Sequence, residues 1–226
     1  PVQSKNPVTL FQNASRIAAL IRARGVDLVH ARSRAPAWSG LIAARRTGRP
    51  FVTTYHGAYG ERGRLKRFYN SVMARGDLVI ANSQYTADLI RQRYDTPPEK
   101  LVVIPRGVDL ARFAASKIAP ARMAALRTKW GIEADRPVIV QAARLTDWKG
   151  QSVLIEAAGL LKARGRLGRA VVVLAGDAQG RDGYAARLAE QIARLDLADA
   201  VRIAGHVDDI PAAYATALVS VVASTQ

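Results

Sequence analysis

Arg144 and Lys149 stand on either side of a loop that leads from the apolar run Pro137-Val138-Ile139-Val140 into the helical pattern Val153 to Ala158. Backbone N–H groups at a helix start, with the positive end of the helix dipole, favour a phosphate. Two cations beside such a start can hold a diphosphate; an exposed charged pair at a turn is the plainer alternative. Gly176, Gly180 and Gly183 follow the run Val171 to Leu174. Glycines there allow backbone to approach a phosphate or ribose closely, or simply form a strand-to-helix turn. Their spacing is not Gly-x-Gly-x-x-Gly, which disfavours a dinucleotide site. His56 follows the run Phe51 to Tyr55, at the strand end where open α/β sheets place their ligands, although strand-end histidines are also common structural residues. With His30 and His206 it completes the histidines of the chain, too widely separated for a spaced metal motif. His30 ends a strand and receives no chemical role. The absence of cysteine excludes disulfides, thiol catalysis and thiolate metal sites.

The elements that must position these residues alternate. Short β-branched runs are separated by helical patterns about ten to fifteen residues long, the signature of parallel sheets covered by helices. A helix over Leu10–Arg24 leads to a strand over Val26–His30. A helix over Trp38–Arg46 leads to Phe51–Tyr55, and a helix over Leu65–Met73 leads to Leu78–Ala81. Asn82 and Ser83 suit a helix cap, and Leu101–Ile104 is a further strand before a turn over Pro105–Asp109. The rhythm lapses over 110–135, apart from a short helix at Ala121–Trp130, which suits a connection between lobes. It resumes with strands at Pro137–Val140, Val171–Leu174, Val201–Ala204 and Leu218–Val222, with helices near Val153, Leu188 and Pro211. This predicts an α/β chain of two Rossmann-like, doubly wound parallel-sheet domains: 1–110, a connection over 111–135, and 136–226.

The 226 residues are 49% apolar, enough to bury a sizeable core. No apolar run reaches the roughly 18 residues of a membrane span, and no signal peptide opens the chain, so a cytoplasmic location is expected. The net charge of +16 is uneven: residues 1–110 hold 18 basic and 7 acidic side chains, and the remainder holds 16 and 11. Such an excess favours anionic partners such as phospholipid, lipid phosphate or nucleic acid, or reflects an arginine-rich genome. Arg62, Arg64, Lys66 and Arg67, interleaved with Tyr59, Leu65, Phe68 and Tyr69, place basic and aromatic groups together just after His56. A solvated helix face would read the same way.

The stretch Ala143-Arg144-Leu145-Thr146-Asp147-Trp148-Lys149-Gly150 resembles the Gly-Arg-Leu…Lys-Gly signature of family-4 retaining glycosyltransferases. Further likenesses follow in the family's order: Pro50–Gly57, Ala81-Asn82-Ser83, Val103-Ile104-Pro105-Arg106-Gly107-Val108-Asp109, Leu174-Ala175-Gly176-Asp177 and Val201–Val207. The resemblance covers nearly all of the chain. It implies the GT-B arrangement, with an acceptor-side domain first and a nucleotide-sugar domain second. It assigns Arg144, Lys149 and Gly150 to the donor diphosphate, with both cations stabilising the departing nucleotide. Gly176 and Asp177 fall on a donor loop, and Gly205 and His206 on a loop beside the base, acting through backbone groups. His56 is matched to a residue of the interdomain cleft near the transferred sugar, so His56, Arg144 and Lys149 are the catalytic candidates.

Departures are also visible. Ala143 replaces the family's glycine, Arg106 replaces its asparagine, and the segments that begin and end the family sequence are missing, so both domains are expected to be incomplete and this stretch inactive by itself. For the intact bacterial enzyme the resemblance implies transfer from a nucleotide-diphosphate sugar to a lipid-linked or glycan acceptor, in lipopolysaccharide, capsule or glycolipid synthesis. Anomeric configuration is retained, and neither cofactor nor obligatory metal is required. Expected partners are the nucleotide sugar, the acceptor and an anionic membrane surface on the inner face of the plasma membrane, and not nucleic acid. Two alternatives are a nucleotide-sugar 2-epimerase of the same architecture, which needs more acid/base groups than are visible, and a basic nucleic-acid-binding protein suggested by charge alone.

Overall fold

A computed structural model of the chain describes residues 6–60, 63–180 and 182–225. The chain divides between Gly107 and Val108 into two compact units.

The first unit contains α1 (Pro7–Arg24), β1 (Val29–Ala31), α2 (Arg34–Thr47), β2 (Phe51–Tyr55), α3 (Arg64–Ser71), β3 (Leu78–Ala81), α4 (Gln84–Tyr94) and β4 (Leu101–Val103). Its strands are parallel and lie in the order β1-β2-β3-β4, so the described sheet winds in one direction. β2 is buried along almost its whole length, as a strand covered on both faces must be. Phe51 and Tyr55 join Val72, Met73, Val79 and Ile90 in the core. Thr53 is tolerated there because its hydroxyl donates to the Met73 carbonyl at 2.7 Å. α1 opens on Asn6, whose side chain accepts from the Val8 N–H, and α4 opens on Ser83, which caps the Thr86 N–H.

The second unit contains α5 (Leu110–Phe113), α6 (Pro120–Trp130), β5 (Val138–Ala142), α7 (Gln151–Ala163), β6 (Val171–Ala175), α8 (Asp182–Arg194), β7 (Val201–Gly205), α9 (Ile210–Thr216) and β8 (Val219–Ser220). The order β7-β6-β5-β8, all parallel, reverses direction between β5 and β8. That reversal is the switch point of a doubly wound sheet. β6 is buried on both faces, and its side chains alternate between two cores. Val172 and Leu174 pack with Leu154, Ile155, Leu188 and Leu197, while Val171, Val173 and Ala175 pack with Leu126, Trp130, Ala212 and Ala213.

Three sequence expectations need adjustment, the first being the strand expected over Val26–His30, which forms at Val29–Ala31. Residues 111–135, expected as a connection, belong to the second unit's packing: Ile118, Leu126, Trp130 and Ile132 are buried in its core, and α6 packs on α9. The run Leu218–Val222 forms a strand only at Val219–Ser220, which pair with Ile139 and Val140 of β5, while the flanking Leu218 and Val221 N–H groups donate to the Val138 and Val140 carbonyls.

In the first unit, β2 and β3 are pinned where they begin. The Asp77 carboxylate accepts from the Phe51 N–H at 2.8 Å and from Arg45 at 2.9 Å, while the Asp77 N–H donates to the Phe51 carbonyl at 2.7 Å. The Phe51 N–H, followed by Arg45, holds the carboxyl below its ordinary range. Its stabilisation is therefore present above the ordinary carboxyl range and lost as pH falls through the depressed native value. Asp77→Ala is expected to lower stability by about 1 kcal/mol at neutral pH in urea denaturation. The difference from the native protein should shrink below pH ~4.

Candidate functional site

Parallel strands deliver their following loops to one edge of the sheet, and in the second unit three such loops enclose a cleft. It has a volume of about 270 Å³ and is walled by Ala143, Arg144, Gly176, Asp177, His206 and Tyr214, among others. The loops after β5, β6 and β7 thus bring Arg144, Gly176, Asp177 and His206 together, residues the sequence placed in three separate motifs. Gly205 ends β7 and forms a bridge to Gly176. Much of one wall is main chain. A Cβ at Gly176 would stand 2.0 Å from the Ala143 carbonyl oxygen, so only glycine permits this approach. The Leu145 N–H donates to the Asp177 carbonyl at 2.9 Å and ties the first two loops together.

Arg144 is exposed, and its guanidinium reaches Gln179 Oε1 at 3.3 Å. His206 lies between two carboxylates, with Nδ1 3.3 Å from Asp177 and Nε2 3.1 Å from Asp208. Among the described residues nothing hydrogen-bonds the buried Asp177 Oδ1. An acceptor left unpartnered in this way is suited to a donor supplied by a ligand, such as a hydroxyl.

Lys149 and Gly150 are not part of that cleft's lining. They lie on the β8 side of the loop, where the Thr225 N–H donates to the Trp148 carbonyl at 3.0 Å. The Lys149 ammonium stands 4.4 Å over the Trp148 ring. Gly150 has φ +71°, and a Cβ there would meet the Ala223 carbonyl oxygen at 1.9 Å.

Sequence reading missed the groups that hold this loop. Gln141, fully buried, donates to the Lys149 carbonyl at 2.6 Å. Gln151, also buried, donates to the Arg144 carbonyl at 2.9 Å and accepts from the Tyr184 hydroxyl at 3.2 Å. Two amide side chains thus clamp both ends of the segment 144–149. A glutamine inside the otherwise apolar run of β5 was the available signal, since a buried amide must find partners.

In the first unit, His56 follows β2 and is half-buried. Its carbonyl accepts from Asn82 Nδ2 at 3.0 Å, and Arg106 Nη2 lies 2.8 Å from its Nδ1. Burial, followed by the positive charges of Arg106 and Arg32 and by His30, lowers its pKa from the ordinary imidazole value and so favours the neutral ring. His30 Nε2 pairs with Thr54 Oγ1 at 2.7 Å. Of the basic and aromatic cluster, Arg62 lies outside the described residues. Arg64, Lys66 and Arg67 lie on α3, beside the exposed Leu65 and Phe68.

Among the described residues no helix is long and apolar enough to cross a membrane, and no group of three or more His, Cys, Asp or Glu could hold a metal ion.

Comparison with known proteins covers both units. The family described as Glycosyltransferase Family 4 matches residues 1–112, and Glycosyl transferases group 1 matches residues 123–226. A GDP-mannose-dependent alpha-(1-6)-phosphatidylinositol monomannoside mannosyltransferase of Mycolicibacterium smegmatis is 34% identical over 71% of this chain and 43% of its own. A glycosyltransferase structure from Rickettsia africae superposes with a TM-score of 0.85 at 34% identity, covering 100% of this chain and 59% of that one. The Anabaena protein HepE in complex with UDP-glucose superposes with a TM-score of 0.81 at 28% identity, covering 98% and 59%. The chain spans less than half the length of the curated relatives it matches.

The packing of Gly150 is directly testable. Gly150→Ala should cost more than about 1 kcal/mol in chemical denaturation, because the added methyl meets a carbonyl at a left-handed backbone position. Gly183→Ala, in α8 with open space around it, should be neutral or slightly stabilising in the same assay.

Proposed function

The chain belongs to the glycosyltransferases whose first half is of family 4 and whose second half is of group 1, and from that premise we propose that the protein is a retaining enzyme that moves a sugar from a nucleotide-diphosphate donor to a lipid-linked or glycan acceptor. The observation that carries this reading is the second unit's cleft at the carboxyl ends of β5, β6 and β7, in a fold shared with a protein solved with UDP-glucose.

In this proposal Arg144 and Lys149 neutralise the departing diphosphate, so no obligatory divalent ion or other cofactor is needed. Among the described residues each cation makes one weak contact: a 3.3 Å bond to Gln179 for Arg144, and the Trp148 ring for Lys149. A cation–π contact of this kind is worth about 0.5–1 kcal/mol, little to give up for a phosphate oxygen. Asp177 would repel phosphate and is assigned to a donor hydroxyl. Gly176 and Gly150 admit close main-chain approach, Gly205 and His206 border the base, and His56 is assigned to a sugar hydroxyl. Departure of the nucleotide from the face that the acceptor attacks, assisted by the donor's own phosphate, gives retention.

A lipid-linked acceptor is favoured by α3. Leu65 and Phe68 are exposed there beside Arg64, Lys66 and Arg67, and Arg75 covers the Trp38 and Phe68 rings at 5.2 and 5.1 Å. Exposed apolar groups ringed by cations suit an anionic lipid surface reached from the cytoplasm. Glycolipid, lipopolysaccharide and capsule precursors are all acceptors of this class, and nucleic acid is not expected as a partner.

Calorimetric titration of UDP, GDP and ADP should show selective binding of one nucleotide, weakened about tenfold or more by Arg144→Ala or Lys149→Ala. No binding by the folded protein overturns the donor reading. Vesicles containing anionic phospholipid should sediment the protein where neutral vesicles do not. Arg64→Gln combined with Lys66→Gln should release it, as should raised salt.

A further inference from the structure

β2 and β4 flank β3 on opposite sides, so the residues that follow them emerge from the same edge of the first sheet. His56 follows β2 and Arg106 follows β4, and the guanidinium spans the gap to place Nη2 at 2.8 Å from His56 Nδ1. A guanidinium has donors only and stays protonated, so the nitrogen it meets must supply a lone pair. In a neutral imidazole the single ring proton then resides on Nε2. Among the described residues nothing hydrogen-bonds Nε2. The family resemblance led to asparagine at position 106, a side chain that can both donate and accept and therefore does not dictate the tautomer.

We propose that Arg106 is a positioning residue that fixes His56 as the Nε2–H tautomer, so that His56 presents a neutral hydrogen-bond donor to an oxygen of the bound sugar and cannot act as a proton acceptor. The geometry excludes the alternative economically. Protonating Nδ1 would set two donors face to face and break the 2.8 Å contact. Among the described residues the titratable and charged groups that face the ring are Arg106 after β4, Arg32 after β1 and His30 on β1; all disfavour the imidazolium, but only Arg106 contacts a ring nitrogen. Recognition of the sugar rests on the function proposed above, whereas the tautomer is a property of the chain without ligand.

Two-bond proton–nitrogen correlation spectra of the ¹⁵N-labelled full chain report which ring nitrogen carries the proton, with the His56 signals identified by their absence in His56→Gln. The expected result is an unprotonated Nδ1 and a protonated Nε2 across neutral pH, with a titration midpoint below that of an ordinary histidine. In Arg106→Asn the preference for the Nε2–H form should fall several-fold and the midpoint should rise. In Arg32→Asn the midpoint should rise while the tautomer stays as it was, which separates nearby charge from direct contact. A proton on Nδ1 in the native chain, or an unchanged tautomer ratio in Arg106→Asn, overturns the proposal. Because the spectra are read without nucleotide, failure of UDP or GDP to bind would overturn the donor reading and leave this result standing.

Discussion

Parallel pairing is the constraint on which everything else in this chain depends. Strands that all run the same way leave their sheet at one edge, so the segments after them gather there whatever their distance in sequence. In the second unit this brings residues 142–144, 175–179 and 206–210 around one cleft; in the first it brings position 56 within reach of position 106. Parallel sheets in turn require cover on both faces. β6 meets that requirement with an unbroken apolar run whose alternate residues enter different cores.

That same requirement governs how much was legible in the sequence. β2, β3, β5 and β6 could be read because strands within a covered parallel sheet are built from short apolar and β-branched runs, and helix ends could be read from Ser83 and the glycines that follow α1 and α2, whereas the start of α1 at Pro7, capped by Asn6, was placed too late, at Leu10. The end of the second sheet was overextended because Leu218 and Val222 are apolar but exposed, 75% and 88%, and apolar character alone does not supply a neighbouring strand. The role of 111–135 was missed for the converse reason: its buried residues Ile118, Leu126, Trp130 and Ile132 are spread among alanines and basic residues and declare themselves only once β5 and β6 lie beside them.

The site divides in a similar way. Arg144, Gly176 and His206 were visible because their types are chemically conspicuous and each stands directly after a strand. Gln141, Gln151 and Tyr184 were not, because a clamp made of buried amides has no period and no characteristic spacing; it exists only as hydrogen bonds across a folded loop. Lys149 shows the limit of spacing itself. Being five residues from Arg144 did not place it in the same cleft, since the loop turns over β5 and carries it to the β8 side, above Trp148.

The close approach of Gly176 to the Ala143 carbonyl also bears on how the cleft can be reshaped. Where a wall is main chain, its form is shared by any set of side chains that preserves the backbone, and random substitution has few places to alter it gradually. Laboratory evolution toward a different ligand therefore works through the side chains of the wall, Arg144, Asp177, Gln179, His206, Val207, Ile210 and Tyr214, and not through its main chain. The glycine that creates the wall offers no intermediate steps between keeping it and losing it.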